Sequence, residues 1–152
     1  LPAVEALAVI RERQGRTDKA VGLRQRIYGL RKPSPTELVQ LGQLAMNAQQ
    51  TAVAIESFER ARSLQRGAFN HDLELGVLYL AARRFEAARA ALDRVPPSHQ
   101  EYPMVLFKRA QVSVLLHEPD QTARIAAARQ QANATTRELI ARERLFQNAR
   151  TP

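Results

Sequence analysis

Leu7, Leu41 and Leu75 recur at a constant interval of 34 in the numbering; Gly42 and Gly76 repeat that interval, and Ala20, Ala54 and Ala88 repeat it again. A self-match at fixed offset constrains the fold before any single motif does, because each period must be one supersecondary unit stacked on its neighbours. After an extra residue in the loop around Pro97 the expected interval becomes 35, with Ala110 after Leu75, Val114 after Tyr79, Ala123 after Ala88 and Ala127 after Leu92. Within each unit the first anchor and the later alanine stay 13 apart: Leu7 and Ala20, Leu41 and Ala54, Leu75 and Ala88, Ala110 and Ala123. The units are expected at 1–34, 35–68, 69–103 and 104–137, in a single domain spanning 1–152.

Apolar periodicity and breakers resolve the chain into nine helical segments and no strand pattern. The first two are expected over 3–14, stopped by Gly15, and 18–31, after Thr17. Ser34, Pro35 and Glu37 form the clearest start signal: a serine N-cap, a proline at the first helical place, and a glutamate that can bond back to the cap's amide. That helix should run to Asn47, the next over 51–65, and a fifth over 71–82 after the cap-competent Asn70. A sixth starts at Phe85 and ends at Pro96 and Pro97; a seventh covers 102–116, and an eighth begins at Pro119. Thr135 and Glu138 read as a second capping box, opening a last helix that reaches Asn148 with Leu139, Ile140, Leu145 and Phe146 on its apolar side.

Small residues at matching depths suit closely packed helical hairpins. Gly42 and Gly76 in the first helices are expected to face Ala54 and Ala88 in the second, letting the backbones approach. Phe58 and Leu92, four residues past those alanines, share their face, and Ala61 and Val95 continue the stripe.

This spacing resembles the tetratricopeptide repeat, a helix-turn-helix unit of about 34 residues. The second unit resembles it best, through Leu38, Leu41, Gly42, Ala45, Ala54, Phe58 and Ala61, with alanine at 45 where the family usually has tyrosine. The third offers Leu75, Gly76, Tyr79, Ala88 and Leu92, but has Asp72 where a large apolar residue is expected. The fourth keeps Phe107, Ala110, Val114, Ala123 and Ala127, with Gln111 in place of glycine. In the first, Arg11 and Arg24 stand at apolar places, so its helices are expected to meet more solvent or to act as an end cap. The resemblance implies an all-α superhelix, a solenoid of four hairpins over residues 1–137 followed by a C-terminal capping helix.

The resemblance also implies a function. In this family the first helix of each hairpin lines a concave surface that binds proteins. Carried over, it points to Val39, Gln43, Met46 and Asn47 in the second unit, Leu73, Val77 and Leu80 in the third, and Lys108, Val112 and Leu115 in the fourth. Glu5, Val9, Glu12 and Arg13 are the matching places in the first. Either this apolar strip receives an amphipathic helix or extended peptide, with Gln43, Asn47 and Lys108 fixing its polar groups, or the strip is core, covered by the last helix or by a neighbouring domain. The family's carboxylate clamp is not supported, because the matching places hold few cations.

Composition excludes more than it selects. The apolar share of 45% and the absence of cysteine fit a folded chain without disulfides, zinc knuckles or thiolate chemistry. The longest apolar run, Val77 to Ala82, falls far short of the roughly 18 residues of a membrane span, so a soluble domain without membrane contact is expected. Because the chain opens at Leu1 without methionine, it is expected to be a processed product or a piece of something longer; the compartment is left open, with the cytoplasm favoured. Net charge is +8, and Lys19, Arg24, Arg26, Arg31 and Lys32 concentrate cations near the start. That makes nucleic-acid binding a third-ranked reading, behind protein binding and behind packing on a sister domain of a larger enzyme or secretion component. His71, His99 and His117 lie far apart, the glycines form no phosphate loop, and no catalytic, metal, cofactor or small-molecule site is read. Self-association by stacking of an open first unit is left open.

Overall fold

In the computed structural model, residues 2–65, 67 and 69–148 are described. Among them are ten helices and no strand: α1 (Pro2–Arg13), α2 (Thr17–Leu30), α3 (Pro35–Asn47), α4 (Thr51–Gln65), α5 (Asp72–Ala81), α6 (Phe85–Asp93), α7 (Tyr102–Leu115), α8 (Gln121–Gln130), α9 (Ala134–Arg142) and α10 (Arg144–Asn148). Consecutive pairs pack as hairpins: α1 on α2, α3 on α4, α5 on α6, α7 on α8. The helices group into two compact units dividing between Phe69 and Asn70.

The hairpin turns carry the repeat more strictly than the side chains do. Gly15, Gln49, Arg83 and His117 all have positive φ, at 69°, 57°, 59° and 54°, and each follows the last by one full repeat interval. In every case the next amide reaches back five residues: Arg16 to the Arg11 carbonyl, Gln50 to Ala45, Arg84 to Tyr79 and Glu118 to Ser113, at 2.8–2.9 Å. This is the left-handed C-terminal motif that satisfies the last carbonyls of a helix while reversing the chain. Three of the four left-handed residues are not glycine, a backbone cost of about 1–2 kcal/mol each that the hairpin contacts must offset.

These turns correct the expected interval of 35 in the fourth unit. The step remains 34 through α7, so Ala110 takes the place of Gly76, Phe107 that of Leu73, and Ser113 that of Tyr79. Two extra residues, Pro119 and Asp120, then delay α8, and each extra residue turns a helix by about 100°. Ala123 is consequently exposed and Ala127 half-buried, while Ile125 and Ala128 are the buried pair.

A second correction concerns what the glycines face. A Cβ on Gly42 would lie 2.9 Å from the Phe58 ring, and one on Gly76 would lie 2.6 Å from Cγ and Cδ2 of Leu92. The small residue therefore makes room for the large side chain four places past the alanine, while Ala54 and Ala88 are themselves fully buried. In the first hairpin Arg24 stands at the place of Phe58, and its Nε donates to Glu12 Oε1 at 2.7 Å. The expected solvent exposure is borne out there: Leu7 is 38% exposed, whereas Leu41, its counterpart, is 3%. Asp72, apolar in the family pattern, accepts from Arg94 Nη2 at 2.8 Å and so ties the start of α5 to the end of α6.

Besides the start of α8, at Gln121 rather than Pro119, three helix boundaries differ from expectation. The N-cap of α5 is His71 rather than Asn70, and that of α9 is Asn133 rather than Thr135, with Asn133 Oδ1 accepting from the Thr136 amide at 2.9 Å. Burial selects Asn133, because its capping bond places Thr136 inward, where it is 1% exposed. The last helix breaks at Glu143, whose ψ of 106° separates α9 from α10.

The capping box of α3 forms as expected. Glu37's amide bonds Ser34 Oγ, Ser34's amide bonds Glu37 Oε2 at 2.8 Å, and Arg31 Nη1 donates to Glu37 Oε2 at 3.0 Å. Arg31, then the Ser34 amide, lowers the Glu37 carboxyl to about 2. A group whose pKa falls on folding contributes stability that is present above its unfolded pKa and lost as pH drops through the folded value. With Glu37 27% exposed, screening reduces this contribution to about 1 kcal/mol. Urea unfolding should therefore show Glu37→Gln less stable than the parent near neutral pH, the gap narrowing below pH 4.5 and closing near 2. A gap independent of pH would contradict the assignment.

Candidate functional site

N-terminal to the division at Phe69, α3 presents Gln43 and Asn47 to solvent, with Val39 and Met46 half-buried alongside. Gln43, Asn47, Gln40 and Leu44 line a cleft of about 290 Å³ with Glu12 of α1 and Arg24 of α2. The helical spacing 40, 43, 44, 47 explains how one stripe of α3 supplies four of its lining residues. Glu12 and Arg24 neutralise each other, and the carboxylate raises the Arg24 pKa further. What remains on offer is three carboxamides, each with two donors and a two-lone-pair acceptor. Such a lining matches peptide amides better than it matches a free carboxylate or phosphate.

Of the cations gathered near the start of the chain, Arg24 pairs with Glu12, and Arg31 pairs with Glu5 and Glu37. Those ion pairs reduce the charge available to a nucleic-acid backbone.

C-terminal to that division the site residues of α5 and α7 divide. Val77, Leu80 and Leu115 are half-buried. Leu73 and Val112 are buried, at 5% and 1% exposed, and do not belong to an open strip. Val112 stands one repeat after Leu78, which is also buried; the expected interval of 35 had aligned it with Val77. In the corrected register the places of Leu73, Val77 and Leu80 on α7 are Phe107, Gln111 and Val114. His117 carried the signal for this register, but only its backbone conformation reveals it.

These α7 residues are covered by the C-terminal segment. Phe107 and Phe146 meet edge-on with ring centroids 5.7 Å apart, and Met104, Val114 and Leu145 pack into the same cluster as Ala110, Ile125, Ala128 and Ile140. Gln111 Nε2 donates to Glu143 Oε2. Lys108 is half-buried with its Nζ 5.0 Å from the Phe107 ring centroid; burial lowers its pKa and the Glu143 charge opposes that shift. On α7 it is Phe107, Gln111 and Val114 that lie against the C-terminal segment.

Hairpin pairing, the regularly spaced turns and the glycine contacts are now joined by a sequence comparison: residues 45–112 match the tetratricopeptide-repeat family model. This segment is similar to tetratricopeptide repeats. The match runs from the middle of α3 through α4, α5 and α6 and into α7, so it spans the best-kept hairpins and leaves out α1 and α2. No curated protein matches the chain. Among the described residues, no helix is long and apolar enough to cross a membrane. Tetratricopeptide repeats generally mediate protein–protein interaction.

Proposed function

We propose that the chain is a protein-interaction or scaffolding module that takes a peptide or partner helix against the first helices of its hairpins. The cleft under α3 is the observation that carries this reading. Gln40, Gln43 and Asn47 converge on a space of about 290 Å³ beside an ion pair that is already satisfied, which favours a polar, uncharged chain segment. Peptide backbone has that chemistry, alternating donors and acceptors that carboxamides can pair in either sense. Val39 and Met46 supply half-buried apolar surface on the same helix for the peptide's side chains.

A peptide library selected on the full chain tests this. Selected peptides should lose about tenfold in affinity against a Gln43→Ala, Asn47→Ala double variant, which is the effect of losing two hydrogen bonds of about 0.5–1.5 kcal/mol each. Peptides that bind parent and variant equally, or a selection that enriches nothing, would remove the cleft from the function.

A further inference from the structure

The segment over α7 has the marks of a docked peptide. α10 is five residues long, far below the length at which a helix holds itself in water, so the surface beneath it sets its conformation. The chain leaves the helical path at Glu143, and three contacts follow within one turn. Glu143 bonds Gln111 and faces Lys108, Leu145 packs against the same cluster as Val114, and Phe146 meets Phe107 edge-on. Glu143 Oε1 also accepts from the Leu145 amide at 3.0 Å, capping the turn from within. Phe107, Gln111 and Val114 hold the register places that Leu73, Val77 and Leu80 hold on α5 and that Val39, Gln43 and Met46 hold on α3. At Gln111 and Val114 the segment therefore lies on the register places of Gln43 and Met46, the solvent-facing and half-buried positions of α3.

We infer that α7 carries a peptide-docking groove that recognises an acidic residue followed three positions later by an aromatic one, presented as a single helical turn, and that Glu143 to Phe146 occupy it in cis. A partner protein bearing an acidic-x-apolar-aromatic turn then binds by displacing the chain's own segment. This rests on the protein-interaction reading but uses different residues from the α3 cleft.

The experiment uses the full chain with Phe146→Ala, which vacates the aromatic place, and a labelled peptide with the sequence of residues 142–148 as probe. The peptide should bind this variant at least about tenfold more tightly than the parent chain, and adding Gln111→Ala should cost about tenfold again. Equal binding to parent and variant, or none to a variant whose circular dichroism is unchanged, overturns the groove. If Phe146→Ala unfolds, hydrogen exchange on the parent chain decides. Amides of 144–148 opening well before those of α7, and opening further with added peptide, support cis docking; protection equal to that of α7 makes the segment a fixed cap and overturns it. Concentration-dependent dimers in the parent, with the segment exchanged between copies, also overturn it. Failure here with intact selection at Gln43 and Asn47 removes the groove alone, whereas failure of both removes the interaction reading.

Discussion

Gly76→Ala should destabilise the protein by about 2 kcal/mol, the reverse of what an alanine normally does inside a helix. Glycine at a mid-helix position costs about 1 kcal/mol relative to alanine, so its presence in α5 has to be offset by packing. The contact that does so is with α6: a Cβ would lie 2.6 Å from both Cγ and Cδ2 of Leu92. Cγ is the branch point of that side chain, close to the α6 backbone, so relief requires the helices to part. Gly42→Ala should cost less, since its Cβ would meet three Phe58 ring carbons at 2.9–3.0 Å, a milder overlap than the 2.6 Å at Leu92. A double-mutant cycle in urea checks the cause: with Leu92→Ala already present, Gly76→Ala should become neutral or favourable, a coupling of about 2 kcal/mol. Independent, additive effects would show that the two residues do not meet across the seam.

Phe58→Ala should be more damaging still, by about 3–5 kcal/mol, a large part of the roughly 5–15 kcal/mol of a typical domain. The ring is fully buried, lies against Gly42 and meets Phe69 edge-on with centroids 6.4 Å apart. Position 42, being glycine, offers no side chain to fill the vacated space, so the cavity collapses only in part. Phe58→Leu keeps most of the volume and should lose about 1 kcal/mol while making Gly42→Ala tolerable. Thermal unfolding followed by circular dichroism reads both; a Phe58→Ala loss below about 1 kcal/mol would mean that the α3–α4 seam is not the core of its hairpin.

How far the sequence could be read differs from residue to residue. Ser34, Pro35 and Glu37 act locally, within a few bonds, and their cap forms as the spacing predicts. The same holds for the hairpins, because apolar positions recurring at helical period must be covered by a neighbouring helix. Asn133 and Thr135 are both competent caps, and the choice between them falls to the packing of Thr136. The break at Glu143 has no breaker residue to signal it: Arg142, Glu143 and Arg144 are all good helix formers, and the chain turns there so that Phe146 can reach Phe107.

The candidate site shows the same division. Val39, Gln43, Met46 and Asn47 could be placed from the repeat because α3 keeps nearly every marked residue of its unit. On α7 the register slipped by one, since Ala110 fits the place of Leu75 or of Gly76 equally well by residue type. Glu12 and Arg24 had no signal as a pair, being far apart in sequence and on different helices.

The amino-acid order alone determined that helices would pair at a fixed period and which side chains were apolar enough to require cover, because both follow from local periodicity and from the length of one hairpin. Only the tertiary structure decided which large side chain fills the space left by each glycine, where the period shifts in the fourth hairpin, and that the C-terminal segment of α10 lies on α7. Those outcomes depend on distances between residues remote in the chain, and several pairings of the same apolar residues satisfy the sequence until steric fit selects one.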